Sequence, residues 1–282
     1  MKTFGQEIYT RSISALCKTD KHGNSWQYHP RSDAHSKIAC WAIVFDVLLN
    51  CPLLRDHAKR DTVGFGINRK MHDFRMNRDK DLDLVIAANP NFVAANDLKG
   101  LASSIGVRLI PSEESELASL PVFKLSDAGS VLVALEAKAC MTEHLKARPR
   151  LYDELSSSYQ TIHGDTESAI AAGFVTINVA ESFISPLRNN PPQTATFEKT
   201  IHRQPDVARK VLDKVRELPR RAKEKDQGYD AVGVTLIRCL NDGSDIDLAD
   251  EFSDGTKIDA ILTYRSMIDR ISSIYATRFS HI

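Results

Sequence analysis

The ten residues Val131-Leu132-Val133-Ala134-Leu135-Glu136-Ala137-Lys138-Ala139-Cys140 constrain this chain more than any other stretch. A continuous apolar run, opened by the turn residues Asp127-Ala128-Gly129-Ser130, reads as a buried strand. Side chains alternate across a strand, so Val131, Val133, Leu135 and Ala137 are expected on one face. Leu132, Ala134, Glu136 and Lys138 are expected on the other. A Glu and a Lys thus leave an apolar strand side by side, where unpaired charge is costly. That cost calls for a chemical reason.

A second segment has the same character. Asp79-Lys80-Asp81-Leu82-Asp83-Leu84-Val85-Ile86-Ala87-Ala88 begins in charge and runs into an apolar strand. Alternation predicts Asp81, Asp83 and Val85 on one face, with Leu82, Leu84 and Ile86 on the other. An acidic strand followed by an apolar strand ending in Glu-x-Lys resembles the PD-(D/E)XK nuclease superfamily, whose members share the restriction-endonuclease-like fold. Asp83, Glu136 and Lys138 carry the resemblance, and Leu82 stands where the family's name puts a proline. Asp81 and Asp83 are therefore rivals for the acidic position; the apolar run starting directly after Asp83 favours it.

The resemblance implies an α/β protein with a central mixed β-sheet flanked by helices. It implies one nuclease domain over residues 1–282, with a core at about 36–180, an insertion at about 89–130 and a C-terminal extension at about 197–282. It also implies Mg²⁺ held by Asp83, Glu136 and the carbonyl of Ala137, since Mg²⁺ takes one or two carboxylates and keeps several waters. Lys138 would position the attacking water or help deprotonate it; burial and a metal would lower its pKa while carboxylates raise it, so its protonation state stays open. Asp81 and His144 are candidate supporting residues, and Arg148 and Arg150 candidate phosphate contacts. Double-stranded DNA is the implied partner and a homodimer of the type II restriction kind the implied assembly. A non-cleaving nucleic-acid-binding module on the same fold, or a nuclease for repair or for RNA, is the alternative.

Composition narrows the field. The chain of 282 residues is 42% hydrophobic and 26% charged, enough for a sizeable core. Its 37 basic and 37 acidic residues balance, so DNA affinity requires cations clustered along one groove. The stretch Lys199 to Lys225 holds ten Lys or Arg, interleaved with Asp206, Asp213 and Glu217 as on a solvated helix face. Cys17, Cys40, Cys51, Cys140 and Cys239 form no C-x-x-C pair, which argues against structural zinc or a disulfide framework. No apolar run approaches the ~18–20 residues of a membrane span, and Met1 to Glu7 lacks the apolar core of a secretory signal. A reduced, cytoplasmic protein is the expectation. Phosphate-binding Gly-rich loops, nucleophile elbows and H-E-x-x-H zinc motifs do not occur in it.

The remaining pattern predicts the elements. Residues 1–17 read as an amphipathic helix on Phe4, Ile8, Ile13 and Leu16, with Glu7 on its surface. Lys18 to Ser32 reads as a polar loop with exposed Trp26, Tyr28 and His29. Ile38, Trp41, Ala42, Phe45, Leu48 and Leu49 define a core helix ended by Pro52. A strand at Thr62 to Ile67 precedes a charged turn, Met71 to Asp79. Asn96 is expected to cap a helix running to Ile105, and Ser112 to Glu116 to form an acidic loop between short strands at Val107 to Ile110 and Pro121 to Leu125. Helices at Leu151 to Tyr159 and Thr166 to Ala172 are expected on either side of a break at His163-Gly164-Asp165. Strands at Phe174 to Ala180 and Ala231 to Leu240, a loop at 190–196, and helices at Asp206 to Lys225 and Ile258 to Phe279 complete the pattern.

Overall fold

The computed structural model describes residues 1–15, 18–127, 129–189 and 197–282. Leu16, Cys17 and Ala128, together with the expected loop at 190–196, lie outside the described residues. In chain order the elements are α1 (Gly5–Ile13), β1 (Lys18–Thr19), β2 (Ser25–Trp26), α2 (Ala34–Asn50), α3 (Pro52–Lys59), β3 (Val63–Asp73), β4 (Arg78–Ala88), β5 (Phe92–Asp97), α4 (Leu98–Ile105) and α5 (Pro111–Ser119). They continue as β6 (Lys124–Ser126), β7 (Ser130–Cys140), α6 (His144–Asp165), β8 (Ile170–Asn178), β9 (Ser182–Ile184), β10 (Lys199–Ile201), α7 (Asp206–Arg216), β11 (Ala231–Arg238), β12 (Asp247–Ala249) and α8 (Tyr264–Arg278).

Among the described residues one mixed sheet has eight strands, in the order β12-β11-β8-β7-β4-β3-β6-β5. β7 lies inside it, antiparallel to β4 and parallel to β8. Every residue of β8 is buried, as expected of a central strand covered on both faces. One face packs on α1, α2 and α8 through Ile8, Trp41, Phe45, Ile268 and Ile271. The other packs on α6 and α7 through Leu155, Ile162, Val211 and Leu212. The stretch at 89–130 supplies β5 and β6 at one edge, and the C-terminal third supplies β11 and β12 at the other. No single helix among the described residues is long and apolar enough to cross a membrane; α2 and α3 pass only as a pair bent by 99°.

Several expectations are corrected, each for a local reason. The charged stretch from Met71 to Asp79 is mostly strand, pairing Met71 with Lys80 and Lys70 with Asp81. Only residues 74–77 turn, and Asp73 Oδ1 accepts from the amides of Arg75 and Met76. α6 is one helix through Gly164, because Gly164 is a contact point and not a breaker: a Cβ there would lie 2.0 Å from Asp73 Oδ1. Residues 166–169 then form a turn before β8, not a helix. The acidic loop is helix α5, with Pro111 in its first turn beside Glu113 and Glu114, where acids suit the helix dipole. The strand expected at Val107 to Ile110 does not form, and α4 is capped by Asp97, not Asn96. α7 stops at Arg216, before Pro219, whose ring disfavours helix at the preceding residue. Trp26 is buried and donates its indole N–H to Asp20 Oδ2 at 2.9 Å.

Candidate active site

The site grows from two departures from regular β-structure. β4 and β7 are in register at Leu84↔Leu135, Val85↔Ala134 and Ile86↔Val133, and a bulge follows between Ile86 and Ala87. The bulge puts Leu132 and Val133 in the same core layer, overturning strict alternation before Val133. From Val133 onward alternation holds: Leu135 and Ala137 face α2, whereas Ala134 and Cys140 face α6. Glu136 and Lys138 therefore project to the α6 side.

The second departure is at Asp83. Leu82 packs in the α6 layer with Val85 and Ala87, while Leu84 and Ile86 pack in the α2 layer. The predicted single face for Leu82, Leu84 and Ile86 is thus broken at the intervening residue. Opposite it on β3, Asn68 adopts a left-handed backbone (φ 52°), and the ladder resumes at Arg69↔Leu82. Asp83 occupies the gap between β4 and β7, where its Oδ2 accepts from the Ala137 amide at 2.8 Å, with Ser36 of α2 beside it. The N–H and C=O of one strand residue point to the same edge, so the Ala137 carbonyl faces this gap as well.

Glu136 is 3% exposed, and its Oε1 lies 2.5 Å from Lys138 Nζ. Its Oε2 is buried with no hydrogen-bond partner. Lys138 Nζ also lies 3.1 Å from Glu154 Oε2 on α6, and Glu154 Oε1 accepts from Arg150 Nε at 2.5 Å. Burial raises the pKa of Glu136, as does the charge of Asp83, against the lowering influence of Lys138. Burial likewise raises Asp83, against the Ala137 hydrogen bond and Lys138. Burial disfavours the Lys138 ammonium, but Glu136, Glu154 and Asp83 outweigh it and hold its pKa above the ordinary lysine value.

Asp83, Ala137 and Lys138 line a cleft of about 850 Å³. One wall is the segment with Tyr28, Arg31 and His35; α6 contributes Lys146, Arg150 and Glu154; Phe183 of β9 and Arg188 beyond it close a third side. Glu136 lies behind Lys138, buried beneath the lining. Of the other sequence candidates, Arg150 lines the cleft and Arg148 does not. Asp81 is exposed opposite Lys70, outside the lining. His144 is buried away from the cleft, bonded through Nε2 to the Asn178 carbonyl at 2.8 Å and edge-on to His202; burial pushes its pKa down to about 4. Glu154 and Ser36 also line the cleft, and the sequence pattern does not single them out. The i,i+4 spacing of Arg150 and Glu154 was the only available signal, and it marks many solvated helices.

No group of three or more His, Cys, Asp or Glu side chains among the described residues is arranged to hold a metal ion. Two carboxylates and a carbonyl nonetheless match the hard-oxygen set that suits Mg²⁺. The orphaned Glu136 Oε2 is the observation that fits such an ion, because a buried carboxylate oxygen without a donor is unfavourable unless a cation meets it. No family model, curated protein or solved structure matches this chain, so the site rests on its own geometry.

Proposed function

We propose that this chain is a Mg²⁺-dependent endodeoxyribonuclease that hydrolyses DNA phosphodiester bonds, of the sequence-specific type II restriction kind and acting as a homodimer. The observation that carries the reading is Glu136: one oxygen on Lys138, the other buried and unpartnered, on the strand beside Asp83. Apart from α3 and the inserted β5, α4, α5 and β6, the elements run α2-β3-β4-β7-α6-β8 with β3, β4, β7 and β8 adjacent in the sheet, and this supports it, since helix–strand–strand–strand–helix–strand is the order of the PD-(D/E)XK superfamily.

Asp83, Glu136 and the Ala137 carbonyl would hold the ion. Bound there, Mg²⁺ supplies Lewis acidity toward a phosphoryl oxygen and lowers the pKa of coordinated water. Asp83 is held in place by the Ala137 amide, so it needs little reorganisation to act as a ligand. Lys138, kept as an ammonium by its three acidic neighbours, orients the attacking water and balances negative charge gathering on the phosphate. Arg150, at the mouth of the cleft, meets the DNA backbone.

The test is incubation of a defined plasmid with the protein in Mg²⁺ and in EDTA. Discrete fragments in Mg²⁺ alone are expected, and Glu136→Ala and Asp83→Ala should abolish them. A smear removes the sequence-specific part of the proposal. Undiminished cutting by Glu136→Ala removes the site, and DNA bound but never cut leaves a binding module.

A further inference from the structure

We propose that Glu154 is a positioning residue: it takes the Lys138 ammonium so that Glu136 is released to a divalent cation. The proposal rests on the nuclease reading for the identity of the cation site. Lys138 Nζ lies between two carboxylates from different elements, Glu136 on β7 at 2.5 Å and Glu154 on α6 at 3.1 Å. The two acids are not equivalent. Glu136 is buried with a spare oxygen, so its charge is poorly served by one ammonium alone. Glu154 is partly exposed and held independently: Arg150 Nε donates to its other oxygen at 2.5 Å, and Lys80 Nζ donates to its backbone carbonyl at 2.9 Å. α6 therefore presents a carboxylate with a second partner, one that Lys138 reaches from where it already stands.

An ammonium and a dication compete for the same buried carboxylate. With Glu154 present, Lys138 keeps a counter-charge when Glu136 turns to the ion. Without Glu154, Lys138 is left with Glu136 as its one ion-pair partner among the described residues and holds it against the ion. The effect passes through Lys138, and this separates it from a general loss of negative charge near the site.

The experiment is calorimetric titration of the full chain with Mn²⁺ alone, with Asp83→Asn as the blank and thermal melts as the folding control. Glu154→Gln is expected to weaken Mn²⁺ about tenfold, equivalent to ~1.4 kcal/mol. Glu154→Asp, one methylene short, should weaken it in the same direction and serves as the test should the Gln variant melt early. Lys138→Met should bind Mn²⁺ more tightly, and adding Glu154→Gln to it should change affinity by less than about twofold. Wild-type affinity in both Glu154 variants overturns the proposal, as does equal weakening in the presence and absence of Lys138. Wild-type protein that binds no Mn²⁺ through Asp83 and Glu136 overturns the nuclease reading and this inference together.

Discussion

Replacing Lys138 with methionine tests the electrostatics of the site without assuming any activity. The substitution keeps an unbranched chain of similar reach and removes the cation 2.5 Å from a carboxylate that is 3% exposed. Breaking a buried pair by deleting one partner costs about 3–5 kcal/mol, because the remaining charge is left uncompensated. Lys138 is 27% exposed and shared with Glu154, so the lower figure, ~3 kcal/mol, applies. With an unfolding entropy of ~2.1 cal/mol/K per residue, a chain of 282 residues should melt about 5 °C lower.

The loss must depend on pH in one direction. Burial and Asp83 raise the pKa of Glu136, and Lys138 is what lowers it. In the variant the folded pKa climbs further above the unfolded value. The folded state then holds a proton that the unfolded chain releases, so stability falls as pH rises from the ordinary glutamate pKa through the folded one and levels off above it. The deficit of about 5 °C near pH 8 should shrink to below about 2 °C near pH 4.5. Thermal melts followed by circular dichroism at these values and near neutrality measure it. Adding Glu136→Gln to Lys138→Met should recover most of the loss near pH 8, since the Glu136 charge that Lys138 compensated is gone. A deficit that is flat with pH, or a double variant as unstable as the single one, would refute the reasoning.

Asp81→Asn should leave plasmid cleavage within about twofold of wild type, whereas Asp83→Asn should reduce it by more than about a hundredfold, beyond the loss typical of residues that merely support a metal ligand; equal effects would return the two acids to rivalry. Asp46 accepts hydrogen bonds from the Phe4 and Gly5 amides and the Tyr264 hydroxyl, and burial raises its pKa to about 6. Its contribution to stability is therefore full below the ordinary aspartate range and lost as pH rises toward 6, so Asp46→Asn should flatten the melting-temperature profile between about pH 4 and 6. Gly164→Ala would bring a methyl group 2.0 Å from Asp73 Oδ1. Overpacking of that kind costs about 1–3 kcal/mol, and an unchanged melting point would show that the hairpin tip moves aside freely.

What was legible in the sequence and what was not follows from the range of the interactions. The β7 run and the α2 stripe were readable because burial on a fixed period is a local property; Trp41 is fully buried as its stripe predicts. Gly164 was misread because its reason for being glycine is Asp73, which is distant in sequence. The α5 acids read as loop because their partners are elsewhere: Arg11 reaches Glu113 Oε2 at 2.6 Å from α1. In the candidate site, Asp83, Glu136 and Lys138 are the residues that carry the family resemblance, and Glu154 has no part in that pattern. Its approach to Lys138 is decided by how α6 crosses the sheet, and no periodicity encodes that crossing.

The irregularity at Asp83 bears most directly on the proposed function. In an unbroken strand this residue would share the face of Val85, the α6 side to which Glu136 also projects. Two carboxylates would then compete for one ammonium on a buried face, and one of them would take up a proton. The local break, matched on β3 by the left-handed Asn68, turns Asp83 into the gap between strands. There the Ala137 amide donates to it. Lys138 is left to Glu136 and Glu154, and one oxygen of Glu136 has no donor at all. Straightening β4 should therefore harm the site even with all its side chains kept. Asn68→Val, a β-branched residue disfavoured at positive φ, probes this directly. Weakened Mn²⁺ binding with Asp83 and Glu136 intact is the expected result, and unchanged binding would mean that the break in β4 has no part in building the site.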